Sequence, residues 1–324
     1  MMRRALLMLA LLGLPGLAPA VPVDDYPYLR AMVDRLAAEG LDRRELVRTF
    51  EQATLRPEVV KAMKRPAERL PWHRYRSFFI TPPQIANGIE FWRRHEDTLA
   101  RAAAESGVPA QIIVAVIGVE TRYGTTLGSH PVLDSLTTLT LQYPRRREFF
   151  GKQLEHFLLL AHEHALDPLA VRGSYAGAIG IPQFMPSSYR EYAVDFSGDG
   201  RADLVNQTED AIGSVANYLS RFEWRRGAPV ATPARPEGVV SEDRDSSRKP
   251  DTTVAALRDQ GLVIDSAVDG GAPAGVIRLE ARDGMRHWVA FENFYVLMRY
   301  NPSYLYAMAV SELSDRIRAQ YDGS

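Results

Sequence analysis

The chain has 324 residues, a formal net charge of −1 and no cysteine. Near-neutrality leaves no electrostatic footprint for a nucleic-acid partner. The missing cysteines exclude a disulfide scaffold and a lipid carried on an N-terminal cysteine, and the length exceeds what one hydrophobic core usually holds, so two or three subdomains are expected.

Residues 1–20 read as a secretory signal: a basic start at Met1–Arg4, an apolar run at Ala5–Leu12 and small residues at 18–20. The run is short and broken by Gly and Pro, which argues against a membrane span; an uncleaved anchor is the other reading. The rest is expected to be exported and soluble. In 28–40, Leu29, Met32, Val33 and Leu36 recur at helical spacing, and Gly40 is a stop signal. A second helix follows in 41–53 with Asp42 as its cap. Thr81 ahead of two prolines opens what reads as one helix to Gly107, with Ile85, Ile89, Trp92, Leu99 and Ala102 as its apolar stripe.

Residues 108–220 read as one compact, mostly helical unit. It holds a helix carrying Glu120, a helix in 146–166, another from near Pro186, and one in 208–222 with Thr208 as N-cap and Asp210 in its first turn. Residues 225–252, rich in Pro, Ser and charge, read as linker and loop. A short helix at 253–261, strands at 263–268 and 274–281, a turn at 282–285 and the stretch 286–294 make a small α+β module. Residues 303–321 read as an amphipathic helix. The fold class is predominantly α, α+β overall.

Glu120 is the one acid in the apolar run QIIVAVIGVETRYGTTLG, 111–128. Ile113, Val116 and Ile117 share its helical face. A carboxyl group among such neighbours is partly desolvated, which raises its pKa and lets it donate a proton near neutral pH. The other reading is a structural glutamate paired with Arg122 or Arg146. A second cluster, SYAGAIGIPQFMPSS at 174–188, follows Gly173 and contains Gly177, Gly180 and Gln183. Its glycines permit close backbone approach to a ligand, and the amide of Gln183 can donate and accept. A buried turn joining two helices is the alternative. Together, an acid on an apolar helix and a wall of Ser, Gln and Tyr suit protonation of a glycosidic oxygen.

VIGVETRYG followed by SYAGAIGIPQFMPSSYREYAVDFSGDG resembles the membrane-bound lytic murein transglycosylase B family. FYVLMRYNPSYLYAMAV at 294–310 and WHRYRSFFI at 72–80 match it too. The resemblance implies a goose-lysozyme-like helical core flanked by a helical domain and a small strand-containing domain. The implied boundaries are 21–95 for the helical domain, completed by 295–324, 96–224 for the catalytic core, and 225–294 for linker and small domain. It also implies cleavage of the β-1,4 bond between N-acetylmuramic acid and N-acetylglucosamine in peptidoglycan, leaving 1,6-anhydromuramic acid ends, in the periplasm of a Gram-negative bacterium.

Carried over position by position, the resemblance makes Glu120 the catalytic acid. It puts Ser174 near the muramoyl N-acetyl group and Gln183 in the cleft, with Tyr75, Tyr218, Tyr300 and Tyr306 as substrate-binding aromatics. On composition alone each tyrosine reads as ordinary core. Phe149 stands where some members have a cleft tyrosine, which removes a hydroxyl and keeps a ring. The usual glycosidase plan needs two carboxylates, and Asp134 and Glu148 are the poor second candidates. The family's plan uses one acid, assisted by the substrate's own N-acetyl group.

DFSGDGRAD, 195–203, matches the opening of an EF-hand-like loop, with Asp195, Ser197 and Asp199 as oxygen donors and Gly200 at the turn. Asn206 at the twelfth position breaks the standard motif. The resemblance makes Asp210 the closing ligand, adds the carbonyl of Arg201, and implies a structural calcium ion. An Asp/Gly-rich turn that needs no ion is the other reading. Two further readings of the whole remain open at this point, an inactive peptidoglycan-binding scaffold and a water-using lysozyme-type hydrolase. Glycan strands are the expected partner, with cell-wall synthesis or division proteins as candidate recruiters and a monomer as the expected state.

Overall fold

The computed structural model describes residues 21–64, 70–237, 246–265 and 267–323. The expected leader lies outside them. The first helices are α1 (Pro27–Ala38), α2 (Arg43–Gln52), α3 (Pro57–Met63) and α4 (Trp72–Arg76). Asp42 caps α2 by accepting from the Glu45 amide at 2.9 Å. The single helix expected over 81–107 is two, α5 (Pro82–Arg94) and α6 (Glu96–Ser106), broken at His95 with φ −119° and ψ 30°. The sequence RRHED at 93–97 carries the physical reason. Arg93 and Arg94 sit at the negative end of one helix dipole, and Glu96 and Asp97 at the positive end of the next.

Helix α7 (Ala110–Thr121) is the centre of the molecule. Ile112 to Ile117 are all at most 4% exposed, as befits a helix apolar on every side. Helices α5, α6, α11 (Thr208–Arg221) and α14 (Tyr304–Asp322) pack around it. The expected amphipathic C-terminal helix is α14, but Leu305 to Ser311 are buried without a break. Contacts with α4, α5, α7 and α13 (Glu292–Tyr300) enclose that half, and only the later turns show a stripe, with Ile317 buried between exposed Arg316 and Arg318. Helices α8 (Val132–Gln142) and α9 (Arg147–Glu163) pair beside this layer, with α10 (Pro186–Tyr192) against α9. Two-residue strands β1 (His130–Pro131) and β2 (Arg172–Gly173) tie their loops. Thr208 is not the N-cap of α11. It is the first helical residue after Gln207, and no side-chain cap bond is made.

The small module is a five-stranded antiparallel sheet in the order β4-β6-β7-β3-β5, with β3 (Ala231–Pro236), β4 (Thr252–Thr253), β5 (Leu262–Ile264), β6 (Pro273–Ala281) and β7 (Gly284–Ala290). Strand β3 falls inside the stretch read as linker. ATPARP lacks β-branched alternation and carries two prolines, yet only Ala234 pairs on both sides, so each proline meets a single neighbour. The strand expected over 263–268 is shorter, and residue 266 is outside the described set. Helix α12 (Val254–Asp259) packs on the sheet. A small core of Ala234, Val254, Leu257, Leu262, Ile264, Ala274, Val276, Val289 and Phe291 is separate from the large one. No single helix among the described residues is long and apolar enough to cross a membrane.

Candidate active site

Glu120 is half-buried in the last turn of α7, above buried Val116 and Ile117. The helix is stopped by consecutive left-handed residues, Arg122 at φ 50°, Tyr123 at φ 62° and Gly124 at φ 82°. Side chains lock this costly turn. Thr121 Oγ1 accepts from the Gly124 amide at 3.0 Å and donates to the Ile181 carbonyl at 2.8 Å. Tyr123 donates to the Gln84 carbonyl at 2.8 Å, and Gln84 Nε2 donates to the Gly118 carbonyl at 2.8 Å. The glutamate is therefore presented from a clamped helix end. Neither Arg122 nor Arg146 pairs with it among the described residues. Arg122 is exposed, and Arg146 lies over the Phe149 ring at 4.1 Å.

The second cluster docks on this turn. Ile179 and Phe184 exchange backbone hydrogen bonds at 2.8 and 3.0 Å, closing a loop in which Gln183 holds φ 50°. Gln183 Nε2 donates to the carbonyls of Gly180 and Leu127 at 2.8 and 3.1 Å. The sequence reading left that amide free to work in both directions, whereas the fold spends its NH2 and leaves Oε1 as the free acceptor. Ser174 Oγ accepts from the amides of Ala176 and Ala178 at 3.3 and 3.0 Å, which leaves its proton for donation. Gly128 makes the docking possible. It sits at φ +88°, and a Cβ there would lie 2.2 Å from the Gly173 carbonyl oxygen and 2.7 Å from the Ser174 nitrogen.

Two of the aromatics face the acid directly. The buried Tyr306 hydroxyl has no partner at ordinary hydrogen-bond geometry. Burial, then the Glu120 charge, then the neighbouring Tyr300 hydroxyl hold its pKa well above the usual range, and a looser hydrogen bond to Glu120 adds to this. Burial and the Glu120 charge do the same to Tyr300. The Tyr300 and Tyr306 rings stack with centroids 6.1 Å apart. Tyr75, 4% exposed, lies near enough for its hydroxyl to influence Tyr306. Tyr218 packs edge-on against Tyr300 at 4.9 Å, and Phe184 touches both at 5.5 and 5.7 Å. Two of these hydroxyls are spent on the frame, Tyr300 donating to Pro182 at 2.5 Å and Tyr218 to Arg299 at 2.7 Å. Phe149 is apart from the group, packed on Phe150 at 5.1 Å and under Arg146.

No second carboxylate joins Glu120 from the two candidates. Asp134, 6% exposed, accepts from the Thr54 amide at 2.9 Å and pairs with Arg56 at 2.9 Å. Glu148 is exposed at the start of α9. Sequence reasoning missed Thr121, Gln84 and Phe184. The TRYG that follows Glu120 was the available signal for the first.

The carboxylates of the 195–210 loop are bound by the loop's own amides. Asp195 accepts from the amides of Gly198, Asp199 and Gly200 at 2.7, 3.1 and 2.7 Å, and these bonds, that of Gly200 foremost, hold its pKa below the usual range. Asp210 is fully buried and accepts from Phe196, Ser197 and Asp203 at 2.8, 2.7 and 2.8 Å. Asp199 accepts from the Arg201 amide at 3.0 Å. Among the described residues no group of three or more His, Asp or Glu side chains is arranged to hold a metal. The oxygen donors suit calcium in kind, but they do not fit a preformed cage.

The transglycosylase SLT domain model matches residues 24–315. The membrane-bound lytic murein transglycosylase B of Escherichia coli strain K12 is 40% identical over 308 residues, 90% of this chain and 82% of the relative. The solved structure of Escherichia coli lytic transglycosylase Slt35 in complex with calcium superposes with a TM-score of 0.85 at 40% identity, covering 91% of this chain and 94% of that one. SltB3 from Pseudomonas aeruginosa, solved with NAG-NAM-pentapeptide, superposes at 0.79 with 29% identity, covering 89% and 78%. The chain belongs to the transglycosylase SLT domain family.

Proposed function

We propose that Glu120 carries out the lytic transglycosylase reaction of this family alone, as acid and then as base. The chain cleaves the β-1,4 bond between N-acetylmuramic acid and N-acetylglucosamine in periplasmic peptidoglycan and leaves 1,6-anhydromuramic acid ends. The observation that carries the assignment of Glu120 is its position, a single carboxyl on a clamped helix end beside Tyr300 and Tyr306, with both candidate second carboxylates engaged or exposed elsewhere.

Protonated Glu120 donates to the leaving glycosidic oxygen as the bond to C1 breaks. The substrate's N-acetyl carbonyl oxygen closes on C1 and holds the positive centre as an oxazolinium. Ser174, whose proton is free to donate, suits the N-acetyl group, and Gln183 Oε1 suits an N–H or hydroxyl of the sugar. Glu120, now a carboxylate, removes the proton of the C6 hydroxyl as that oxygen attacks C1 and displaces the carbonyl. The proton balance closes on one residue and no water is consumed. Tyr75 and Tyr306, both buried, form the floor beside Glu120, while Tyr218 and Tyr300 act as posts that hold the wall.

Mass spectrometry of digested peptidoglycan tests the reading. Muropeptides lighter by one water are expected from the native chain and absent with Glu120→Gln. Ordinary reducing ends would instead identify a hydrolase, and a folded Glu120→Gln protein of full activity would overturn the mechanism.

Calcium enters only through the 195–210 loop. Its all-oxygen donor set and the calcium complex of Slt35 support binding. The ion would have to draw carboxylates away from loop amides, so its role is to stiffen the approach to α11 and not to cut bonds. A rise in thermal midpoint with calcium, reversed by chelator, is the expected result; an unchanged midpoint removes the ion from this account.

A further inference from the structure

A sizeable cleft lies away from Glu120. It lies between α4 and α14 on one side and β3, β7 and the β6–β7 turn on the other, with a volume of about 980 Å³. Helix geometry sets it apart from the catalytic side. Tyr306 faces Glu120, whereas Met308, Ser311, Glu312 and Asp315, at 100° per residue, point from the other side of α14 into the cleft. No residue of 118–125 or 174–188 lines it.

The lining is basic in a chain of net charge −1. Arg76, Arg235, Arg282, Arg286 and Arg316 face Asp283, Glu312 and Asp315. Internal pairs use up part of this charge. Arg76 and Arg316 share Glu312, and Arg286 pairs with Asp283. Arg235 and Arg282 make no ion pair or side-chain hydrogen bond among the described residues, and both are exposed. Apolar surface lies between these charges, from half-buried Trp288 and from Met285, 48% exposed, with buried Trp72 behind them. The buried Nδ1 of His73, a lining residue, has no hydrogen-bond partner.

Unpaired guanidiniums recognise carboxylates in a planar, two-pronged manner, and the apolar floor suits short aliphatic side chains. We propose that this cleft binds the carboxylate-bearing peptides of the polymer, away from the glycan chemistry at Glu120. It rests on the peptidoglycan reading above, in which the polymer carries such peptides; the ligand solved with SltB3 includes a pentapeptide. Peptide capture behind the catalytic layer would hold the enzyme on cross-linked wall while a glycan strand occupies the front.

The test uses the full chain and a synthetic, sugar-free pentapeptide with free side-chain and C-terminal carboxylates, with binding followed by isothermal titration calorimetry. Saturable binding is expected for the native protein and equally for Glu120→Gln. The double variant Arg235→Glu/Arg282→Glu should bind at least about tenfold more weakly, as should a fully amidated peptide to the native protein. The double variant should keep its thermal midpoint and its rate on peptide-free glycan. Absence of saturable binding to the native protein overturns the proposal, as does binding that survives the double charge reversal or is abolished by Glu120→Gln. The release of anhydro products is measured separately, so failure of the catalytic reading and failure of this one are told apart.

Discussion

Gly128→Ala is the sharpest probe of how the site is assembled. Two costs add at this position. A non-glycine residue at φ +88° pays about 1–2 kcal/mol for a left-handed backbone. The new methyl would also meet the Gly173 carbonyl at 2.2 Å and the Ser174 amide at 2.7 Å. Both are backbone atoms, so the turns must separate, at about 1–3 kcal/mol. The total of about 2–5 kcal/mol corresponds to a fall of about 3–10 °C in thermal midpoint for a chain of this size. Gly40 supplies the control. Its φ is +105° with nothing within 4 Å of a built Cβ, so Gly40→Ala pays the backbone cost alone. The displacement at Gly128 also strikes the chemistry, since Leu127 accepts from Gln183 and Gly173 precedes Ser174. Activity per folded molecule should drop about tenfold or more in Gly128→Ala and stay unchanged in Gly40→Ala. Differential scanning fluorimetry and anhydro-muropeptide release measure the two effects. Equal midpoints and equal rates for the two variants would refute the docking argument.

Tyr300→Phe leaves the Pro182 carbonyl without its donor and should cost about 1–2 kcal/mol, with a lowered kcat/KM because Pro182 adjoins Gln183; an unchanged rate would show that the hydroxyl does not position the wall. Asp134→Asn should lower stability by about 1–3 kcal/mol through Arg56 and the Thr54 amide and leave the rate per folded molecule within about twofold, whereas a collapse of the rate in folded protein would make Asp134 a second catalytic carboxylate. Burial depresses the pKa of His95, His156 and His287 below the ordinary 6.5. Between the folded value and 6.5 the unfolded chain binds more protons, so stability present above pH 6.5 is lost as pH falls toward the folded values. Arg190 donates to Nδ1 of His156 at 2.8 Å and fixes the neutral ring. The thermal midpoint should therefore fall from pH 7.5 to 5.5, less steeply in His156→Gln; a midpoint that rises over this range would reverse the assignment.

The helices with a clear apolar stripe and a cap were legible in the sequence. Asp42 caps as its position suggests, and α7 is buried as its composition demands. What escaped depended on partners far along the chain. Strand β3 exists because β7 and β5 flank it, and nothing local in ATPARP announces that. The break at His95 was legible in RRHED but hidden by the continuing apolar stripe. At the site, residue types indicated who could take part and not how their hydrogen bonds are spent. The hydroxyls of Tyr218 and Tyr300 and the NH2 of Gln183 hold backbone carbonyls. The same limit applies to the 195–210 loop, where the oxygen donors are present but satisfy amides.

The proposed catalytic environment is built from segments near 75, 120, 183, 218 and 306, and its polar groups act in pairs across those distances. Thr121 binds the Ile181 carbonyl, Tyr300 the Pro182 carbonyl and Tyr218 the Arg299 carbonyl. The first joins the helix end carrying Glu120 to the 174–188 wall, the second joins that wall to α13, and the third joins α11 to α13. Removing any one loosens two pieces at once, so variants at these posts should show coupled losses and not additive ones. On the proposed reading, Glu120 acts as acid and then as base, without help from Asp134 or Glu148. Its position is held by this frame, on which Tyr123, Tyr218 and Tyr300 spend their hydroxyls.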